Sequence, residues 1–201
     1  MAGGIAAGAA HSCAIVATGA VCWGANDQHQ LGSAAAADSP YPQRVGATSL
    51  LHVVALGRAH GCGLTADQLV VCWGANDLGQ VATGGAASVG TAIPVPNLGE
   101  RFAFLAAGAA GDRSCAATAD ANVACWGGHH DPRLGTVVTR PASVIVLPPG
   151  ALSGLAVGDE HACAVIAGRI LCWGEGSSGQ LGNGYRDYAQ NAVPVGGSDP
   201  G

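Results

Sequence analysis

Charge is scarce in this chain. Asp, Glu, Lys and Arg make up 10% of its 201 residues, and the balance at pH 7 is −5. The eight Lys and Arg positions are scattered, so the basic stripe of a nucleic-acid binder is absent. No apolar run approaches the ~18 unbroken residues of a membrane span. Aromatics are 4%, and much of the 49% hydrophobic content is alanine. Core burial per residue is therefore modest, and covalent staples count for more than usual. There is no Gly-x-Ser-x-Gly, no phosphate loop and no His-Glu-x-x-His. The glycines stand at repeat phase as turn residues. The chain reads as non-enzymatic, with no cofactor and no metal expected.

What the chain has is a fourfold repetition. Cys13 leads to Cys22-Trp23-Gly24, Cys62 to Cys72-Trp73-Gly74, Cys115 to Cys125-Trp126-Gly127, and Cys163 to Cys172-Trp173-Gly174. These positions use all eight cysteines and all four tryptophans, and the units follow at 50, 53 and 47 residues. A fixed period of this size marks a repeat architecture.

Between the cysteines the text is apolar and broken by a turn, as in Ala164-Val165-Ile166-Ala167-Gly168-Arg169-Ile170-Leu171. This predicts a β-hairpin. Setting Cys163 opposite Cys172 places Val165 opposite Ile170 around an Ala167-Gly168 loop. Cys62 opposite Cys72 leaves Ala66-Asp67-Gln68 as a three-residue turn. Directly opposed strand residues suit a disulfide.

Zinc is the rival, because His11, Cys13 and Cys22 form a Cys₂His half-shell; free thiols are the third option. In the third copy Arg113 replaces the histidine while Cys115 and Cys125 persist, which favours bridging. Regular, even cysteine usage points to an oxidising compartment, extracellular or periplasmic. Met1-Ala2-Gly3-Gly4 has no basic n-region, and the stretch to Ala10 is too weakly apolar for a signal core. The expectation is that an export signal was lost upstream; a cytosolic chain with free thiols is the alternative.

After each Cys-Trp-Gly comes a polar loop, beginning Ala25-Asn26-Asp27, Ala75-Asn76-Asp77 and Glu175-Gly176-Ser177. A Pro/Val strand follows, as in Tyr41-Pro42-Gln43-Arg44-Val45, and its prolines predict a sheet edge. Each unit is thus expected to hold four strands: the Pro/Val edge strand, an inner strand, then the stapled hairpin. One repeat domain over 1–201 results, with units near 1–40, 41–90, 91–140 and 141–190. Residues 191–195 then supply a spare strand, which either closes the ring on the first unit or opens a fifth blade.

The pattern Gly8…His11-Ser12-Cys13-Ala14…Cys22-Trp23-Gly24-x-Asn26…Gln30-Leu31-Gly32 resembles the regulator of chromosome condensation repeat in its cysteine-containing bacterial form. Gly158, His161, Cys163, Cys172, Trp173, Gly174, Gly179, Gln180, Leu181 and Gly182 carry it again. The resemblance implies an all-β fold: a β-propeller, or a fragment of one, with four antiparallel four-stranded blades. The family usually closes with more blades than four, so an open arc is expected to self-associate through its edges.

It also implies an interaction module that binds a protein partner of unknown identity. Family likeness further suggests guanine-nucleotide exchange on a small GTPase, or enzyme inhibition as in secreted β-lactamase inhibitor propellers. His11, His60 and His161 recur at one position and are expected to hydrogen-bond within each blade. Trp23, Trp73, Trp126 and Trp173 are expected to fill the core between blades. Candidate partner contacts are Asn26, Asp27, Asn76, Asp77 and Glu175, with His129, His130 and Asp131 from the drifted third loop. Asp159-Glu160 reads as a solvated acidic pair.

Overall fold

A computed structural model describes residues 4–47, 49–83, 87–96, 98–99, 101–131, 136–145 and 147–196. Among them are sixteen strands and no helix. The first blade holds β1 (Gly4–Ala7), β2 (His11–Val16), β3 (Gly19–Gly24) and β4 (Ser39–Arg44). The second holds β5 (Leu51–Leu56), β6 (His60–Thr65), β7 (Val70–Ala75) and β8 (Ser88–Pro94). The third holds β9 (Phe104–Ala107), β10 (Arg113–Ala117), β11 (Val123–Asp131) and β12 (Thr136–Ile145). The fourth holds β13 (Leu152–Val157), β14 (His161–Ile166), β15 (Arg169–Gly174) and β16 (Ala189–Pro194). Each blade is an antiparallel meander in chain order.

The central hairpins follow the expected register. Cys13, Cys62, Cys115 and Cys163 stand directly opposite Cys22, Cys72, Cys125 and Cys172. All four pairs are disulfides, and no cysteine is free. Bridging leaves no thiolate for the zinc alternative. Val165 faces Ile170, and Ala167 and Gly168 take positive φ of 50° and 81°, the backbone of a tight two-residue hairpin.

The Pro/Val strands correct the expected blade boundaries. β4 pairs with β3, β8 with β7 and β16 with β15, so each closes the preceding hairpin instead of opening the next unit. Each pairs with the strand before it although the loop between them is the longer one, residues 25–38 before β4 against 45–50 after it. The blades therefore run 4–44, 51–94, 104–145 and 152–194. The strand near 191–195 is not spare: it is the outer strand of the fourth blade. The prolines do lie on sheet edges, as expected.

Each Trp sits where the register slips, between Cys22 and Gly24 and at the equivalent places in the other blades. The following glycine has positive φ (108°, 97°, 99° and 104° in order). A Cβ there would press on the Ala10, Ala59, Asp112 or Glu160 carbonyl oxygen. The Trp-Gly pair is thus a bulge that only glycine completes.

Strand alternation sends the two faces of each blade into different seams. Ala116, Ala124 and Trp126 pack toward the second blade, while Cys115, Ala117, Val123 and Cys125 pack toward the fourth. Three apolar cores result, joining the first blade to the second, the second to the third and the third to the fourth. β1, β5, β9 and β13 meet in succession along the inner edge. Among the described residues no core joins the fourth blade to the first, so the four blades form an open arc.

Candidate protein-interaction surface

The meander puts the β1–β2 turn and the β3–β4 loop at the same end of a blade. Their join is direct: Ala25 donates its backbone N–H to Ala10 O, Ala75 to Ala59 O, and Glu175 to Glu160 O. Neighbouring blades meet at this end too, where Arg58 N donates to Gly111 O. One continuous loop face crosses the arc.

The loops are built alike from the inside. The Asn26 side-chain oxygen accepts from Leu31 N at 2.9 Å, and its amide donates to Ala35 O. Asn76 repeats this with Val81 N at 3.0 Å and Thr83 O at 2.7 Å. Both are buried and pin their loops, which removes them from the expected contact set. Asp27 and Asp77 remain exposed at the loop tips. Each accepts from the glutamine three residues on, at 2.9 and 3.0 Å. The Gln30 amide is the main reason the Asp27 carboxyl is held below its ordinary range.

In the fourth blade Gly176 replaces that asparagine. Glu175 is half-buried, and its Oε1 accepts from Gly176 N and Ser177 N, so it braces its own loop. His129, His130 and Asp131 form no surface turn. They extend β11 and pair with Val138, Val137 and Thr136 of β12. Pro132 and Arg133 lie outside the described residues.

Below the loops, polar groups latch the seams. Trp73 Nε1 donates to Gln30 O, and Trp126 Nε1 to Gln80 O, each at 2.9 Å. Trp173 is as buried, but its Nε1 has no partner among the described residues; the β11–β12 extension has replaced the glutamine loop that would face it. Trp73, Trp126 and Trp173 fill seams as expected. Trp23 does not: it is half-exposed on the end face of the first blade.

Of the repeated histidines, His60 hydrogen-bonds across blades and not within one. His60 Nε2 lies 2.8 Å from Ser114 Oγ of the third blade. Arg113, at the histidine position, reaches Glu160 O of the fourth blade at 3.5 Å. Burial is the main cause holding the His60 and His11 imidazoles down to a pKa of about 4. Arg58 and Asp112 form an ion pair of 2.7 Å across the same seam. Sequence reasoning missed the Gln30 and Gln80 carbonyls. Their signal was a glutamine at one offset in the first, second and fourth copies.

The loop face is acidic. Asp27, Asp38, Asp77, Asp159 and Asp187 are exposed there, and Asp112, Glu160 and Glu175 are partly so. That is eight of the chain's thirteen carboxylate side chains, against exposed Arg58 and Arg186 on the same face.

Comparison with known proteins agrees with this architecture. Residues 52–80 match the family signature described as Regulator of chromosome condensation (RCC1) repeat. The Ultraviolet-B receptor UVR8 of Arabidopsis thaliana is 32% identical over 193 residues, which cover 90% of this chain and 43% of the receptor. The E3 ubiquitin-protein ligase HERC2 of Homo sapiens is 30% identical over 169 residues, 80% of this chain and 4% of the ligase. The chain thus spans less than half of either relative.

Among solved structures, human WBSCR16 superposes with a TM-score of 0.82 at 20% identity, over 97% of this chain and 53% of that one. Yeast RCC1 (Prp20), in its complex with Kap60, gives 0.77 at 20% identity, over 96% of this chain and 48% of that one.

Proposed function

The chain is an RCC1-repeat protein, and from that premise we propose that it is a non-enzymatic interaction module. Its loop face binds a protein partner that presents basic residues. One observation carries the reading: Asp27, Asp77 and Asp159 are exposed on three different blades of one face, above seams fixed by buried indole, imidazole and disulfide groups. A rigid scaffold carrying loops on one side suits recognition, and matched charge steers association. The disulfides fit an extracellular or periplasmic site of action. Exchange-factor and inhibitor activity rest on likeness of fold alone, which does not carry function.

The test is capture from envelope and secreted fractions with immobilised chain, comparing wild type, Asp27→Asn/Asp77→Asn/Asp159→Asn, and Asp67→Asn/Asp120→Asn on the opposite face. The expected result is a partner that salt weakens, that the triple variant loses and that the double variant keeps. Equal capture by all three forms would overturn the assignment of the loop face.

A further inference from the structure

The two ends of the arc carry opposite halves of the same contact. Ile5 faces Ala14 in register, Val54 faces Gly63, Leu105 faces Ala116 and Leu155 faces Ala164. These four side chains hold one repeat position. Val54, Leu105 and Leu155 each pack into the seam with the preceding blade. Ile5 is 76% exposed. Trp23, at the position of Trp73 and Trp126, is half-exposed beside it, with Ser12, Ala14 and Val21.

The fourth blade shows the other half. Cys13, Ile15 and Leu31 fill the first seam from the first blade's side; their equivalents Cys163, Val165 and Leu181 line the far face of the fourth blade, where Cys163 and Val165 are partly exposed. The acceptor loop is already shaped: Gln180 Oε1 accepts from Ser178 N at 2.9 Å, as Gln30 Oε1 does from Gln28 N at 2.8 Å and Gln80 Oε1 from Leu78 N at 2.9 Å. The carbonyls of Gln30 and Gln80 each take an indole N–H; that of Gln180 is placed to take another. His161 is half-exposed where His60 meets Ser114, and Ser12 is the serine that such a seam would supply.

From this we infer that the end faces are two halves of one seam, and that a second copy of this chain docks there head to tail. Trp23 of one copy then donates to Gln180 O of the other, and His161 meets Ser12. Two four-bladed arcs joined end to end hold eight blades. Eight blades lie within the roughly four to eight that propellers use, and a closed ring leaves no face open for further addition. The contact uses the ends of the arc and shares only Asp159 with the loop-face reading, so Ala10→Asp and Ile5→Asp test it apart from that reading.

Light scattering coupled to size-exclusion chromatography tests it on the 201-residue chain. In the second seam Arg58 pairs with Asp112; the corresponding residues at the end faces are Asp159 and Ala10, both exposed. Wild type is expected at twice the chain mass. Ala10→Asp sets like charges opposite one another and should raise the dissociation constant at least about tenfold. Ala10→Asp/Asp159→Arg rebuilds the ion pair and should restore the dimer, which a folding defect would not allow. Ile5→Asp should give monomer with unchanged circular dichroism. A monomeric wild type at 100 µM, an open-ended polymer, or a dimer indifferent to Ala10→Asp would overturn the inference.

Discussion

His60 and Ser114, 54 residues apart in the chain, meet at 2.8 Å between the second and third blades. The first seam lacks this latch. There Gly61 stands at the serine position, and both ring nitrogens of the buried His11 are without a partner among the described residues. The Nε2 of His60 is satisfied across its seam; its Nδ1, like both ring nitrogens of its repeat mate, has no partner among the described residues.

Acid should loosen both seams. The His11 and His60 imidazoles are held to about pH 4 by burial, against about 6.5 in an unfolded chain. Around His60, the Asp112 charge pulls upward and His11 and Arg58 push downward, but burial dominates. Between those pH values the unfolded state binds more protons, so stability falls as pH drops through 6.5 and the loss is complete near 4. Each site contributes up to about 3 kcal/mol. Urea midpoints should hold steady from pH 8 to 7 and decline from 6.5 to 4.5, less steeply in His60→Gln. Equal slopes in wild type and variant would contradict this origin.

Copying the serine into the first seam should backfire. Gly61→Ser offers His11 a hydroxyl, but a Cβ there lies 2.6 Å from Trp73 Cε2. Overpacking against a buried indole costs about 1–3 kcal/mol, more than one net hydrogen bond of about 1 kcal/mol returns. A lower urea midpoint for Gly61→Ser is expected. A higher one would mean that the indole moves aside freely.

Two glycines with similar backbone should respond differently to alanine. Gly127 and Gly168 have φ of 99° and 81°, so both variants incur left-handed strain of about 1–2 kcal/mol. Nothing lies within 4 Å of a Cβ at Gly168, whereas at Gly127 it meets the Asp112 carbonyl. Gly127→Ala should cost at least about 3 kcal/mol, and thermal denaturation of the pair reads the difference directly.

Mass spectrometry without reductant should find no alkylatable thiol, and eight after reduction. Replacing Cys62 and Cys72 together by serine removes a staple across ten residues, worth about 2.7 kcal/mol in the chain-entropy model. An unchanged denaturation midpoint would show that the hairpin is already closed in the unfolded chain.

The repetition determined much by itself. Cysteine spacing set the hairpin register, because opposed strand positions follow from turn length alone, and Val165 did land opposite Ile170. Proline marked the edge strands, because it has no N–H to give a ladder. Asp27 and Asp77 were legible as exposed loop tips, while Asn26 and Asn76 were not legible as buried pins, since a polar letter does not say whether its bonds go to water or to its own loop. Periodicity also left the phase of the blades open: a repeat can be cut at any point, and only strand pairing assigned each Pro/Val strand to the hairpin before it. The partners of His60, Trp73 and Arg58 lie 43 to 54 residues away in sequence. Those contacts exist because neighbouring blades stack, and so only the tertiary structure decided them.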